Sequence, residues 1–287
     1  MAGLTQRQVS DFQRDGFVLP LDILAEEEAA ELRDTVAGHL AVSRRRGGAT
    51  AALAYGPKVH LLSSWADRLV RHPTLLGVAE SLVGPDILVW GTQIFVKEPG
   101  GDTDLAWHQD ALTYDLDSQG RLAAFRVWLA LTPTSVENGT MRFAAGTHRE
   151  GILAHRRGAG LQGMMRGDEA TFDESRFVRR DVTLRPGQCS LHNMLVVHGS
   201  GVNRTDETRI AFAVDYLATS VSPRRRPDSA LLVKGADTHG NFVLEESPDG
   251  DLGEDGLARC TEAVEMRMRR LQAAEAERRK TGTLTDA

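Results

Sequence analysis

Two histidines and one aspartate have the types and spacing of a metal site. His108 and Asp110 are two residues apart in the segment Trp107-His108-Gln109-Asp110, and His198 follows much later in the chain. Two imidazoles and one carboxylate on one face of a metal leave the opposite face open, an arrangement typical of non-haem Fe(II) oxygenases. The sequence therefore predicts that His108, Asp110 and His198 are metal ligands.

The spacing of these residues also predicts their backbone. Side chains at i and i+2 point the same way on a strand and diverge on a helix, so His108 and Asp110 are expected to chelate one ion only in extended backbone. His198 follows the apolar run Met194 to Val197 and is expected to end a strand. Arg209 begins a further predicted strand, where its guanidinium could bind a carboxylate bidentately.

The elements that must position these residues change in character along the chain. Residues 1–85 are expected to be mostly helical, with a capping box at Thr5, helical periodicity over Glu26 to Leu40 and Trp65 to Leu82, and a loop over Arg44 to Pro57. After residue 85 the chain turns to short β-rich runs separated by turn residues, which predicts a β-sandwich or barrel. These runs are Ile87 to Val96, Leu122 to Thr132, Val182 to Leu184, Ser190 to Val197 and Arg209 to Leu217.

Two of these runs alternate clearly. Phe125, Val127, Leu129 and Leu131 share one side of the first, and the second carries Ile210, Phe212, Val214 and Tyr216 in the same way. Such strands are expected to bury one face against a second sheet. The Gly-rich connection over 149–180 is predicted to be a lid, with functionless disorder as the alternative. Residues 253–280 are predicted to form a covering or dimer-contact helix.

Composition restricts the class of protein. The chain has 287 residues, 41% hydrophobic and 26% charged, as ordinary globular proteins do, and we expect one domain over 1–287. A net charge of -6 argues against nucleic acid as a partner. Two cysteines are too few for a disulfide framework, and no apolar segment reaches transmembrane length. We therefore expect a cytoplasmic protein without a membrane partner.

Several blocks in order resemble the phytanoyl-CoA dioxygenase-like branch of the Fe(II)/2-oxoglutarate oxygenases, from about Phe12 to Leu231. The most specific blocks are Phe95-Val96-Lys97-Glu98-Pro99-Gly100, Trp107-His108-Gln109-Asp110, Val127-Trp128-Leu129-Ala130-Leu131, Glu137-Asn138-Gly139-Thr140, and His198-Gly199-Ser200-Gly201-Val202-Asn203-Arg204 leading to Arg209-Ile210-Ala211.

The resemblance implies a mainly β fold, a double-stranded β-helix or jelly roll with flanking helices, whose core covers 86–220. By position, His108, Asp110 and His198 resemble the iron ligands. Arg209 resembles the partner of the distal carboxylate of 2-oxoglutarate, and Ser200 the hydroxyl residue that assists it. Gln93 and Trp128 resemble positions that line the cosubstrate pocket.

The resemblance also implies a reaction. Fe(II), 2-oxoglutarate and O2 would together oxidise a small-molecule substrate, with release of succinate and CO2. Related halogenases carry a small residue in place of Asp110, so hydroxylation is favoured over chlorination. Desaturation or cyclisation in secondary metabolism, a non-catalytic binder of a metal or small acid, and a zinc hydrolase are the alternatives.

Other residues near the motifs are assigned lesser roles. The segment from Phe143 to Arg149 lacks the proline common in the family, which loosens a turn without touching a ligand. His148 and His192 are expected to be structural or to support the ligands, and His60 and Tyr114 to belong to the core or surface. The loops Tyr55 to His60 and Gly158 to Gly167 are the candidate substrate contacts.

Overall fold

The computed structural model of the protein describes residues 3–101, 104–116, 123–157, 168–282 and 284–285. Its α-helices are α1 (Gln6–Asp15), α2 (Glu26–Arg46), α3 (Gly48–Leu53), α4 (Ser64–Val70), α5 (Pro73–Val83), α6 (Ala111–Tyr114) and α7 (Glu254–Lys280). Its strands are β1 (Phe17–Asp22), β2 (Ile87–Lys97), β3 (Leu105–His108), β4 (Ala124–Ala130), β5 (Met141–Ala144), β6 (His155–Arg157), β7 (Asp168–Ala170), β8 (Arg179–Asp181), β9 (Gln188–Asn193), β10 (His198–Ser200), β11 (Arg209–Ala218), β12 (Ser229–Lys234), β13 (Val243–Leu244) and β14 (Leu284–Thr285).

Two sheets enclose the interior. The larger has the order β1-β9-β4-β11-β2-β12-β13, and the smaller has the order β3-β10-β5-β8. A cluster of buried side chains joins them, with Trp128 and Ala213 from the larger sheet and Met141 and Phe143 from the smaller one. The predicted jelly-roll class, mainly β with flanking helices, is confirmed. A third sheet, β14-β6-β7, lies outside this pair.

Both faces of the central strands β4 and β11 of the larger sheet are buried. Phe125, Val127, Phe212 and Val214 share one face as predicted, but this face packs on the N-terminal helices, where Trp65 of α4 is a neighbour. The expectation that this apolar face packs on a second sheet was therefore wrong. Helices cover it because their own apolar stripes need a partner. The opposite face meets the smaller sheet and carries the polar residues of the interior.

The N-terminal part contains more helix than predicted. Thr5 forms the predicted capping box with Gln8, and Gly16 ends α1 in the left-handed conformation at φ 84°. The predicted loop over 44–57 was wrong, because α2 continues to Arg46 and α3 follows at once. Three glutamates in the first turn of α2 and three arginines in its last turn complement the helix dipole, which favours the longer helix.

Two short β-rich segments also differ from the prediction. Residues 182–184 follow the end of β8 without joining a strand, and β9 ends at Asn193. The Asn193 side chain accepts a hydrogen bond from the Leu195 backbone N–H at 2.9 Å, and the Val196 N–H bonds the Asn193 carbonyl at 3.0 Å. This turn interrupts the apolar run, so His198 opens β10 and does not end a strand.

The C-terminal helix has the predicted length and covers one end of the fold. Cys260 and Ala263 pack against Leu61 and Leu62, and the Arg267 guanidinium lies 3.8 Å from the centre of the Trp90 ring. A dimer-contact role for α7 stays a prediction. Within the ranges that the structure describes, no helix is both long and apolar enough to span a bilayer.

The packing of α4 on the larger sheet yields a stability prediction. Phe212 is fully buried, and its ring meets that of Trp65 at 5.4 Å. We expect Phe212→Ala to lower the free energy of unfolding by about 3–5 kcal/mol, because it removes buried surface and leaves a cavity. Val136→Ala, at a side chain 50% exposed, should change it by less than about 0.5 kcal/mol. Urea unfolding measures both, and equal effects would contradict this packing.

Candidate metal centre and the adjoining cavity

The His108–Asp110 pair comes together through a turn. His108 is the last residue of β3, whereas Asp110 has helical backbone at φ −58° and ψ −35° and precedes α6. The expectation of extended backbone through both residues was therefore wrong. A chain that leaves its strand immediately after His108 folds Asp110 back, and His108 Nε2 lies 4.0 Å from Asp110 Oδ1.

His198 completes the group from the neighbouring strand. It stands opposite His108 in the antiparallel register of β10 and β3, and the two ring centroids are 4.1 Å apart. His198 Nε2 lies 3.8 Å from Asp110 Oδ2. One ligand atom from each of the three residues falls within 4.8 Å of the others. The structure thus brings the three predicted ligands to one point.

The orientation of both imidazoles suits metal binding. His108 Nδ1 is 2.8 Å from the Ala106 carbonyl, and His198 Nδ1 is 3.0 Å from the Val196 carbonyl. Because a carbonyl only accepts, each Nδ1 donates and each Nε2 keeps its lone pair for a metal. His108 Nε2 is buried and has no hydrogen-bond partner in the described part of the chain.

The protonation states of the group also suit a cation. Burial lowers the pKa of His108 to about 3, with a smaller contribution from His198, and burial lowers the pKa of His198 to about 4. Both imidazoles are therefore neutral at physiological pH. Burial alone would raise the pKa of Asp110, but the Arg126 guanidinium, together with smaller contributions from His198 and His192, outweighs burial and holds that pKa well below its usual range.

Arg126 is a residue of this site that the sequence analysis missed. Its Nη1 is 3.0 Å from Asp110 Oδ2, and its Nε is 2.6 Å from Asp215 Oδ1. All three side chains are buried. His192 adds its Nε2 at 3.4 Å from Asp110 Oδ2, which agrees with the supporting role expected for it. The ligand carboxylate is thereby held from β4, β9 and β11.

A cavity of about 200 Å³ extends from this group between the two sheets. It brings together all four of the predicted cosubstrate residues and several that were not predicted. Its lining consists of Gln93, Phe95, Val96, Lys97, Asp104, Leu105, Arg126, Trp128, Met141, His198, Ser200 and Arg209.

Arg209 is a buried cation in the wall of this cavity. It is 3% exposed, and no described carboxylate forms an ion pair with it. Its Nη1 donates to the Gly139 carbonyl at 3.0 Å, its guanidinium lies 5.2 Å from the Trp128 ring, and its Nε is buried without a described partner. Burial lowers its pKa to about 10, so it stays charged at neutral pH. An uncompensated buried charge is costly, and an anionic ligand would relieve it.

Lys97 places a second cation in the same wall. Its Nζ donates to Ser200 Oγ at 2.9 Å and to the Gly201 carbonyl. Burial, followed by the nearby charge of Arg209, lowers the pKa of Lys97 to about 7. The alternation of residues along β2 could have identified Lys97 from the sequence, because Lys97 follows Gln93 and Phe95 at alternate positions and must share their face.

The remaining candidates lie elsewhere. His60 is buried in a separate network, with Nε2 at 2.9 Å from Glu245 Oε2 and Nδ1 at 3.0 Å from Thr92 Oγ1, which fits the expected core role. His148 Nε2 lies 3.1 Å from the Gln13 carbonyl at the end of α1. The loop from Tyr55 to His60 does not line the cavity. The loop Gly158 to Gly167 and the side chain of Tyr114 lie outside the described residues.

Comparison with known proteins agrees with this site. The family model of phytanoyl-CoA dioxygenase matches residues 12–211. An ectoine dioxygenase from Bordetella parapertussis is 28% identical over 157 residues, which are 52% of this chain and 51% of the relative. This chain thus spans about half the length of that relative.

Solved structures extend the comparison to nearly the whole chain. The non-heme monooxygenase ThoJ in its apo form is 42% identical, with a TM-score of 0.84 over 94% of this chain and 99% of that one. CytC3 with Fe(II) and alpha-ketoglutarate is 21% identical, with a TM-score of 0.65 over 85% of this chain and 93% of that one, a likeness that shows the fold. The predicted cofactor and cosubstrate are those that this neighbour holds. Since the family model covers most of the chain and every block that first indicated it, the chain belongs to the phytanoyl-CoA dioxygenase family.

Proposed function

We propose that this protein is an Fe(II)- and 2-oxoglutarate-dependent dioxygenase that hydroxylates an unactivated C–H bond of a small-molecule metabolite and releases succinate and CO2. One observation carries the proposal: His108, Asp110 and His198 converge beside a cavity that His198 lines, and the wall of that cavity holds the cation Arg209, which no described carboxylate pairs with. A metal site and an anion site in one cavity suit a ligand that binds a metal at one end and carries a carboxylate at the other.

The donor set fits ferrous iron. Two neutral imidazole nitrogens and one carboxylate are the ligands that such a site uses, and three ligands leave positions open. When bound, iron and 2-oxoglutarate would supply the oxidising power that puts an oxygen atom from O2 into a C–H bond. The protein's own part is to keep Asp110 ionised through Arg126 and to keep the imidazoles neutral by burial.

The cavity fits 2-oxoglutarate. Arg209 would bind the distal carboxylate, and Lys97 and Ser200 stand beside it to share that contact. The Trp128 ring would pack against the Arg209 guanidinium and hold it in position. The Gln93 amide would contact 2-oxoglutarate in the same cavity. The apolar residues Phe95 and Met141 exclude water from the space between.

The reaction type follows from the ligand set and the family. An aspartate at position 110 fills the place that a chlorinating enzyme of this type leaves vacant, so hydroxylation is proposed. The ectoine dioxygenase among the relatives acts on a small molecule, which supports a small metabolite as substrate here.

Anaerobic titration tests the proposal. Addition of Fe(II) and 2-oxoglutarate should produce a visible charge-transfer band, and O2 should then drive succinate formation that a metabolite from a screened library stimulates. A binding protein without the chelate would show neither the band nor succinate. A zinc hydrolase would turn over without O2. Either result would contradict the proposal.

Removal of the ligand carboxylate should abolish the reaction. We expect Asp110→Ala to reduce metabolite-stimulated succinate and product formation to background, because the metal loses its only anionic protein ligand. Asp34→Ala is the matched control, since Asp34 is 71% exposed on α2 and should leave turnover unchanged. Turnover by Asp110→Ala at the rate of the unsubstituted protein would show that Asp110 is no ligand.

Removal of the charge behind that carboxylate should weaken the metal site. In Arg126→Met the Asp110 carboxylate loses the cation that lowers its pKa, so its pKa rises and protons compete with iron. We expect Fe(II) affinity at neutral pH to fall by about tenfold or more and to recover in part as the pH is raised. Anaerobic equilibrium dialysis measures it, with Arg179→Met on the exposed edge as control. Unchanged affinity across the pH range would contradict this role.

The affinity for 2-oxoglutarate should depend on pH through Lys97. The charged form binds the dicarboxylate, and the pKa of Lys97 without ligand is about 7. Affinity should therefore be constant below that pH and fall by up to about tenfold per pH unit above it, until the higher pKa of the bound state is reached. Lys97→Arg should bind without this dependence, because arginine stays charged. Anaerobic calorimetry measures both proteins, and the same pH profile in both would exclude Lys97 as the cause.

A further inference from the structure

A fourth histidine near the metal centre, in addition to His108, His198 and His192, is buried in the fold. His155 is 1% exposed, and its Nδ1 lies 2.9 Å from the Leu153 carbonyl. Because the carbonyl only accepts, Nδ1 carries the proton and Nε2 is left as an acceptor. His155 Nε2 is buried and has no hydrogen-bond partner in the described ranges.

A buried acceptor without a described partner, such as His155 Nε2, is unfavourable in a protein interior. Leaving it unpaired costs free energy, and most buried polar groups of folded proteins have a hydrogen-bond partner. The imidazole cannot relieve the cost by taking up a proton near neutral pH, since burial lowers its pKa to about 4. A ligand with a hydrogen-bond donor would relieve it.

Strand β7 connects the surroundings of His155 to those of His108. β7 pairs with β6 and packs against β3, the strand that ends in His108, and Phe172 beyond β7 meets the ring of Trp107 at 5.8 Å. Ala170, which pairs with His155, belongs to the same buried cluster as Trp107, the residue that precedes His108. Neither His155 nor His108 lines the 2-oxoglutarate cavity, which the metal centre reaches through His198. His155 therefore lies outside the proposed cosubstrate site.

The end of α7 contributes a donor on this same side. Arg278 donates from Nη1 to the Leu112 carbonyl of α6 at 2.7 Å, and its Nε is buried without a described partner. The positive charge of Arg278 also contributes to the lowered pKa of His155. β14, which follows α7, pairs with β6 at His155. An acceptor and a donor, neither with a described partner, thus lie where α6, α7 and β6 meet, and α6 begins directly after Asp110.

We propose that His155 is a specificity-determining residue whose Nε2 accepts a hydrogen bond from the substrate, and that the substrate carries a hydroxyl or amide N–H close to the carbon that is oxidised. This inference rests on the proposed function. It assigns recognition to a residue outside the cosubstrate cavity and selects donor-bearing molecules over their methylated counterparts.

The test uses paired probes and three variants. The probes are small alcohols and secondary amides, each with its O-methyl or N-methyl counterpart, added to the anaerobic protein with Fe(II) and 2-oxoglutarate. The variants are His155→Leu, which removes the acceptor, His155→Gln, which keeps an acceptor at the same reach, and His239→Leu as a control at an exposed histidine. The charge-transfer band reports the metal site, and calorimetry reports binding of the probe.

The expected result distinguishes a failure of the His155 inference from a failure of the proposed function. All four proteins should form the band, and the original protein should bind at least one donor probe about tenfold or more tightly than its methylated counterpart. His155→Leu should lose that preference, His155→Gln should keep part of it, and His239→Leu should keep all of it. A preference for the donor probe in His155→Leu equal to that of the original protein would overturn the inference. Failure of the original protein to bind any donor probe, while the band still forms, would also overturn it. Absence of the band from the original protein would instead contradict the proposed function and, with it, the inference.

Discussion

The site depends on one buried ion pair. Asp110 must remain a carboxylate in the interior of the fold, where burial raises its pKa, and the Arg126 guanidinium at 3.0 Å makes the largest contribution to lowering that pKa again. Arg126 is held in turn by Asp215 on the adjacent strand. Two carboxylates around one guanidinium leave a net negative charge beside two neutral imidazoles, and a cation is the ligand that balances it. The metal site therefore extends beyond its three ligands into the larger sheet.

The larger sheet can hold such polar residues because both of its faces are covered. Helices cover the apolar face of Phe125 and Phe212, which leaves the inner face to carry Arg126, Trp128 and Arg209 without exposing them to water. The smaller sheet carries His108 on β3 and His198 on β10. A shift of one residue in the β3–β10 register would turn one imidazole away from the other. The β-structure thus sets the geometry, and the helices set the burial.

Residue type and spacing were enough to predict the fold class and to select His108, Asp110 and His198, which the structure brings to one point, and Arg209, which lines the adjoining cavity. His108, Asp110 and His198 are chemically distinctive, and alternation identified the strands that carry Trp128 and Arg209. Arg126 and Lys97 were not predicted as site residues, because the sequence shows each only as part of a strand or motif and their partners are distant in sequence. The backbone at Asp110 and the start of β10 at His198 were wrong because turns depend on local hydrogen bonds, such as those of Asn193, which periodicity does not reveal.

The central claim is that one cavity holds iron at three side chains and a dicarboxylate at Arg209. A crystal structure of the anaerobic protein with Fe(II) and 2-oxoglutarate, with anomalous data at the iron edge, tests it most directly. The account predicts an iron peak in contact with Nε2 of His108, Nε2 of His198 and the Asp110 carboxylate, and a 2-oxoglutarate carboxylate paired with Arg209. Iron at another place, or a cosubstrate whose far end lies away from Arg209, would contradict it.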